Sequence, residues 1–115
     1  MRPLKFRQFD SDSKRFHYWG FLPEGFFSPT AHNGEMDMKS EQFTGALDQN
    51  GLEIWEGDIL DAGQWYGEAV VIWSNGGFKI VAKESNGVKQ AGFVSNSRSM
   101  EVIGNIHQNP ELLKP

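Results

Sequence analysis

Short alternating runs of apolar and polar residues, separated by Gly, Asn and Asp, dominate the chain. The run FKIVAK at residues 78–83 places Phe, Ile and Ala on one face and two Lys and a Val on the other. This period of two is typical of a half-buried β-strand. A second apolar run, AVVIW at residues 69–73, precedes it. The pattern therefore predicts a pair of adjacent strands.

Asn-Gly dipeptides indicate where such strands reverse direction. Both residues tolerate the positive φ that a type I′ turn needs at its two central positions. The four dipeptides begin at Asn33, Asn50, Asn75 and Asn86. Asn75-Gly76 lies between the two runs just described and predicts a tight antiparallel hairpin there.

Further runs give the same kind of prediction. Residues 5–9 and 15–20 flank a polar turn at residues 10–13, and weaker strands are predicted at 88–94 and 100–107. Gly104 indicates a β-bulge or a tight bend in the last of these. Helix is scarce, and the best candidate is residues 109–113, where Asn109 caps and Pro110 occupies the first helical position.

These elements favour an antiparallel fold. A parallel sheet needs crossover helices, and no long segment has a helical period. We therefore expect a mainly β protein with little helix, closing into a small barrel. The segment 23–40 has no regular pattern, and we interpret it as a long surface loop or a partly mobile arm.

Length, charge and cysteine content limit the possible classes of function. The 115 residues are expected to form a single domain, and the net charge of −4 disfavours binding to nucleic acid through phosphate neutralisation. The absence of cysteine excludes disulfides, thiol nucleophiles and Cys-rich zinc sites, and it fits a reducing cytoplasm. No apolar run predicts a signal peptide or a membrane span.

Carboxylates around residues 53–58 are the first candidate for chemistry. Two nearby acids could perform acid–base catalysis, which leaves an enzyme acting through Glu53, Glu56 or Asp58 as one alternative. Strand alternation predicts that Glu53 faces water, and Asp58 follows a glycine in a turn where its carboxylate would accept backbone N–H bonds. A structural role is favoured, and we predict no catalytic residues.

A metal site is also disfavoured. The segment from Asp48 to Gly51 resembles a calcium loop, but in that register the first and twelfth positions, where acidic ligands are required, are Ala46 and Gly57. The three histidines lie far apart in the sequence. We predict neither a metal nor a cofactor.

Aromatic residues offer the remaining candidate contact. Trp65 and Tyr66 lie between two glycines in a predicted loop, so at least one of them should be accessible. Exposed aromatics can stack on bases or hold a peptide. Trp73 and Phe78 are instead expected in the core. A nucleic-acid accessory protein that binds single strands through Trp65 and Tyr66 is the second alternative.

Three segments together resemble one protein family. The chain opens with FRQFD at residues 6–10, continues with QFTGALDQNGLEIWEGDI at 42–59 and closes with EVIGNIHQNPELL at 101–113. This order of motifs is similar to that of the YopX family of phage and prophage proteins. Phe43 stands where the family commonly has Tyr, and the segment 23–40 has no clear counterpart.

The resemblance implies an SH3-like β-barrel core at residues 41–115, preceded by an N-terminal hairpin and an irregular arm at residues 1–40. It also implies a phage or prophage origin, and it supplies no reaction. Its matched glycines, at positions 45, 51 and 57, are expected at turns, and Ile54 and Ile59 in the core. Glu56 and Asp58 are the matched polar residues that we add to the candidate contacts.

We therefore expect a non-enzymatic protein of the bacterial cytoplasm that acts through protein–protein contact. Small barrels expose sheet edges, and such edges invite self-pairing or the addition of a peptide strand. The predicted partner is another protein or a second copy of the chain.

Overall fold

The computed structural model describes residues 4–22, 25–27, 40–63, 66–84, 87–93 and 98–113, and of residues 26–27, 83–84, 87–91 and 93 it describes only the backbone. The strands in these ranges are β1 (Lys5–Asp10), β2 (Arg15–Leu22), β3 (Gly25–Phe27), β4 (Ser40–Leu47), β5 (Glu53–Trp55), β6 (Asp58–Asp61), β7 (Glu68–Ser74), β8 (Gly77–Glu84), β9 (Gly87–Phe93) and β10 (Glu101–Asn105). A 3₁₀ helix, Pro110–Leu113, follows.

The mainly β, antiparallel architecture expected from the sequence is confirmed. The strands form two five-stranded sheets whose neighbouring strands pair antiparallel. Within the described residues the strands do not close into a barrel, so the SH3-like barrel stays a prediction. The chain divides into two compact units, residues 1–43 and 44–115.

In the first unit the strand order is β3-β2-β1-β4. Phe21 pairs with Phe26 across β2 and β3, so part of the segment 23–40 is strand rather than the irregular loop or arm that we expected. The rest of that segment up to residue 39 lies outside the described residues. Runs of two or three residues carry too little periodicity for sequence reasoning to detect them.

A buried ion pair fixes the register of β1 in this unit. Arg7 lies opposite Glu41 of β4, and its Nε donates to the Glu41 carboxylate at 3.1 Å. Both side chains are less than a tenth exposed. The Arg7 guanidinium also lies 4.1 Å from the centre of the Phe16 ring, which holds it by a cation–π contact.

The turn between β1 and β2 is organised by Asp10. Its carboxylate accepts from the backbone N–H of Asp12 at 2.9 Å and from the Ser13 hydroxyl at 3.0 Å, and the His17 ring lies 3.4 Å away. Burial acts to raise the pKa of Asp10, but the donors from Asp12, Ser13 and His17 outweigh it and lower that pKa to about 2. The polar segment therefore forms the turn that its composition predicts.

In the second unit the sheet order is β10-β6-β7-β8-β9. The hairpin predicted at Asn75-Gly76 is confirmed: Ser74 pairs with Gly77, and the two turn residues have φ of 50° and 82°. The dipeptides beginning at Asn33 and Asn86 lie wholly or partly outside the described residues. The core of this unit comprises Ile54, Leu60, Ala69, Val71, Phe78, Ile80, Ala82 and Met100.

Trp73 departs from its predicted place in the core. It is 53% exposed, whereas its cross-strand partner Phe78 is buried as predicted. Trp73 occupies the last core-facing position of β7 before the turn, where its ring packs on Phe78 at a centroid distance of 4.9 Å. The alternating pattern assigns Trp73 to the correct face of β7. It contains no information about where the residues that cover this face end.

The end of β10 confirms two smaller predictions. The register against β6 shifts between Val102 and Gly104, which is the β-bulge that the glycine indicates. The short helix after Asn109 is the second, and the Asn109 carbonyl accepts from the N–H of Leu112 at 3.1 Å. The side-chain Oδ1 of Asn109 accepts from the N–H of Asn105 at 3.2 Å instead of capping the helix as predicted. This helix contacts β7.

Candidate functional site

The turn that joins β4 to β5 is built around the carboxylate of Asp48. Its Oδ1 accepts from the backbone N–H of Asn50 at 2.8 Å and of Leu52 at 2.9 Å. Asn50 and Gly51 form the turn because Gly51 adopts a φ of 81° that favours glycine. The second dipeptide is therefore a hairpin turn, as the sequence predicts.

The same carboxylate also reaches β10. Its Oδ2 accepts from the backbone N–H of Val102 at 2.9 Å, although the two residues are 54 positions apart. Gln49 donates its backbone N–H to the carbonyl of Met100 at 3.0 Å, and the Asn50 side chain donates to Glu101 at 3.3 Å. Asp48 thus holds the turn against the outer side of β10.

This environment stabilises the charged form of Asp48. Burial of the carboxyl acts to raise its pKa, but the N–H donors of Val102, Leu52 and Asn50 outweigh burial and hold the pKa below its ordinary value. The sequence pattern places Asp48 only in a calcium-like loop whose register lacks the required acidic ligands. No local signal could have revealed its bond to β10.

The turn between β5 and β6 has a comparable design. Asp58 is 3% exposed, and its carboxylate accepts from the backbone N–H of Trp55 at 2.8 Å. Gly57, with φ of 88°, donates to the carbonyl of Val71 at 2.8 Å and accepts from the N–H of Ile106 at 2.9 Å. Asp58 therefore has the backbone-binding role expected of it, and its role as a partner contact stays a prediction.

The remaining candidate residues are spread over different environments. Glu53 is exposed as predicted, and Glu56 is half-buried. Tyr66 is half-buried and packs against the core, in a loop closed by a 2.7 Å bond from the N–H of Gly67 to the carbonyl of Gly63. Trp65 lies outside the described residues.

The structure tests the predicted places of Gly45, Ile54 and Ile59. Gly45, expected at a turn, lies inside β4, where its φ of 89° marks a local irregularity of the strand. A glycine at a strand irregularity and a glycine at a turn give the same sequence signal. Ile54 and Ile59 are fully buried, which confirms their core assignment.

Charge in this part of the chain has one sign. Residues 40–78 contain seven acidic residues and no Lys, Arg or His. Glu101, Asp61 and Glu68 lie directly opposite one another on the three adjacent strands β10, β6 and β7. We call these three residues the carboxylate row. A negative surface of this kind repels phosphate, which weakens the nucleic-acid alternative for Tyr66.

Within the described ranges, no group of three or more His, Asp or Glu side chains could hold a metal ion. No helix formed by these residues is long and apolar enough to span a membrane.

The edge strands of the second unit's sheet are β10 and β9. Among the described residues, they differ in the hydrogen bonds that their backbones form on the outer side. The outer side of β10 is occupied, because Val102 and Met100 bond to the turn at Asp48. For β9, which pairs with β8 on its inner side, the described residues contain no backbone bond on the outer side. Among the described residues, an outer-side backbone bond is therefore found for β10 and not for β9.

Comparison with known proteins assigns the chain to a family. Residues 26–114 match the family model described as YopX protein. A search of curated proteins finds no match. Among solved structures, the chain is similar to that titled "Crystal structure of protein EF1440 from Enterococcus faecalis", with a TM-score of 0.62 and 25% identity over 96% of this chain and 98% of that one. The YopX resemblance of the three sequence segments is thus confirmed, and the chain belongs to the YopX protein family.

Proposed function

We propose that this YopX family member is a non-enzymatic, phage- or prophage-encoded interaction protein of the bacterial cytoplasm, and that it acts through protein–protein contact at the β9 edge. The observation that supports this proposal is the difference between the two ends of the second unit's sheet. Asp48 covers the β10 edge, whereas the outer side of β9 carries no backbone bond among the described residues.

An open strand edge binds another strand through its backbone. Each unpaired N–H and C=O can form a ladder hydrogen bond with an added strand, and the side chains of that strand provide specificity. Natural edges that must stay free of partners are short, charged or covered. β9 is seven residues long and contains a single charged residue, Lys89, whereas the covered strand β10 has five residues.

The composition of β9 also suits pairing. Gly87 and Gly92 allow another backbone to approach closely, and Val88 and Phe93 are strand-forming residues. The bulge in its pairing with β8 places Ala91 as the extra residue on the β9 side. Because a bulge locally disrupts a ladder, an added strand would pair with β9 on one side of Ala91 rather than along all seven residues.

The test combines capture from induced host cells with hydrogen exchange. The tagged protein is purified with its bound proteins, and amide exchange is measured in the free and bound forms. Gln90→Lys adds a second cation beside Lys89 on the edge, and Gln49→Lys makes the same chemical change on an exposed turn residue. We expect Gln90→Lys to lose the bound protein and Gln49→Lys to retain it. The β9 amides that do not face β8 should gain protection in the complex.

Two results would overturn the proposal. In the first, both Lys variants retain the bound protein equally, so the edge is not the contact. In the second, the amides of β9 exchange equally fast under all conditions, including high protein concentration. Urea unfolding of both variants verifies that each retains the stability of the wild-type fold.

A further inference from the structure

We propose that Asn75 is a modification site, at which the side-chain amide is lost as ammonia, while the fold protects the equivalent amide of Asn50. Both residues precede a glycine, and both are exposed. Exposure and the following residue therefore do not distinguish the two sites, whereas the hydrogen bonds of the two turns do. The reaction needs no partner and is independent of the proposed contact at β9.

The reaction at Asn75 joins the side chain to the backbone of the next residue. The nitrogen of Gly76 attacks Cγ of Asn75, so that an N–Cγ bond forms and the Cγ–Nδ2 bond breaks. The proton of the attacking amide leaves with Nδ2 as ammonia, and a succinimide ring remains. Water then opens this ring at either carbonyl, which yields aspartate or isoaspartate. The attacking nitrogen must first rotate towards the side chain, and this change of ψ disrupts the turn.

The turn at Asn50 resists this rearrangement. The attacking group there would be the N–H of Gly51, which donates to the carbonyl of Asp48 at 3.1 Å. The backbone N–H of Asn50 donates to the Asp48 carboxylate at 2.8 Å, and the departing side-chain amide donates to Glu101 at 3.3 Å. Ring closure removes the Gly51 N–H and the Asn50 side chain from these acceptors. The two carboxylates also oppose the loss of a proton from the Gly51 amide, because they repel the negative charge that forms.

The turn at Asn75 is held by fewer bonds. Ser74 and Gly77 close it as the last pair of the ladder between β7 and β8. Among the described residues, neither the Asn75 side chain nor the N–H of Gly76 has a hydrogen-bond partner. Residues 69–78 contain no charged side chain. The end of this hairpin therefore opens at the loss of its last ladder pair alone, as chain segments with few contacts do.

The two products affect the hairpin differently. Aspartate followed by glycine suits the same type of turn, so this product retains the hairpin. Isoaspartate carries the chain through its side-chain carbonyl, which adds a methylene group to the backbone of the turn. Ser74 and Gly77 then no longer pair in the present register. The contact between the rings of Trp73 and Phe78, which form the next pair, is disturbed as well.

The test measures both sites in the same molecule. Trypsin releases residues 40–79 as one peptide, because residues 40–78 contain no Lys or Arg. The protein is incubated in mildly alkaline buffer, either folded or in urea, and tandem mass spectrometry of this peptide follows the change from amide to carboxyl at each asparagine. In the folded protein, we expect the reaction at Asn75 to be at least about tenfold faster than at Asn50, since one or two additional broken bonds correspond to roughly this factor. In urea, where both turns are unfolded, the two rates should become similar.

Asp48→Asn provides a variant in which the protection is weakened. It removes the charge that holds the turn at Asn50, so the Asn50 rate should rise towards that of Asn75, while the Asn75 rate stays unchanged. Asp61→Asn is the matched control and should alter neither rate. Urea unfolding identifies conditions under which each variant is folded.

Three results would overturn the proposal. In the first, Asn50 reacts as fast as Asn75 in the folded protein, or Asn75 does not react. In the second, the difference between the two rates persists in urea, so that it arises from the neighbouring sequence and not from the fold. In the third, Asp48→Asn leaves the rate at Asn50 unchanged, so that the bonds of this turn do not protect it.

Discussion

Replacing Asp48 with Asn should destabilise the protein far more than its place in a surface turn suggests. The variant keeps one acceptor oxygen and loses the negative charge. If that oxygen takes the place of Oδ1, the bonds from Asn50 and Leu52 remain but are no longer charge-assisted, and Val102 then faces an amide N–H₂. A hydrogen bond to a charged group contributes roughly 1.5–3 kcal/mol, about twice a neutral one. One lost and two weakened bonds give a total of about 3 kcal/mol.

The assay is urea unfolding, with Asp61→Asn as the matched control. Asp61 is exposed and accepts one backbone bond, from Gly63 at 3.0 Å, so the same chemical change there should cost no more than about 0.5 kcal/mol. For a slope of about 2 kcal/mol per molar urea, Asp48→Asn should lower the midpoint by roughly 1.5 M. Equal midpoints for the two variants would refute the central role of Asp48.

A pH series gives the same reasoning an independent check. The folded-state pKa of Asp48 lies below its ordinary value of 3.8, so the folded protein binds fewer protons there than the unfolded chain. The stabilisation is therefore fully present above pH 3.8 and is lost as pH falls through the folded-state pKa. The stability difference between wild type and Asp48→Asn should shrink in this acidic range.

Three further predictions concern other parts of the two units. Breaking the buried ion pair by Arg7→Met or Glu41→Leu alone should lower the free energy of unfolding in urea by about 3–5 kcal/mol. The double variant should recover most of that loss. If the two single losses add fully in the double variant, the pairing is contradicted. Gly104→Ala should destabilise the protein by about 1–3 kcal/mol, because the added Cβ would lie 2.6 Å from Oδ1 of Asn109. The double variant with Asn109→Ala should lose less stability than the sum of the two single changes. Since the pKa of Asp10 is lowered to about 2, its contribution to stability should be lost between pH 3.8 and about 2, and Asp10→Asn should flatten this part of the acid-unfolding curve.

Local sequence patterns were sufficient to predict most of the strands. The hairpin at Asn75-Gly76, the buried face of β8 and the bulge at Gly104 each depend on neighbouring residues, and each was predicted. The 3₁₀ helix after Asn109 was likewise predicted from neighbouring residues. In all of these, the information that determines the structure lies within a few positions of the residue concerned.

Long-range contacts account for what the sequence did not reveal. The bond from Val102 to Asp48 joins residues that no periodicity connects, and the exposure of Trp73 depends on where other strands end. β3 is defined by its pairing with β2 rather than by any pattern of its own three residues. For the candidate site, the sequence identified Asp58 as a backbone acceptor but did not reveal that Asp48 covers the outer side of β10.

The carboxylate row has a consequence for the ionic conditions under which the second unit is most stable. Its three members face one another across neighbouring strands, where like charges repel. Dissolved ions screen such repulsion over about 8–10 Å at ionic strengths of 0.1–0.15 M. Added salt should therefore strengthen this unit, whereas it weakens proteins that rely on surface ion pairs.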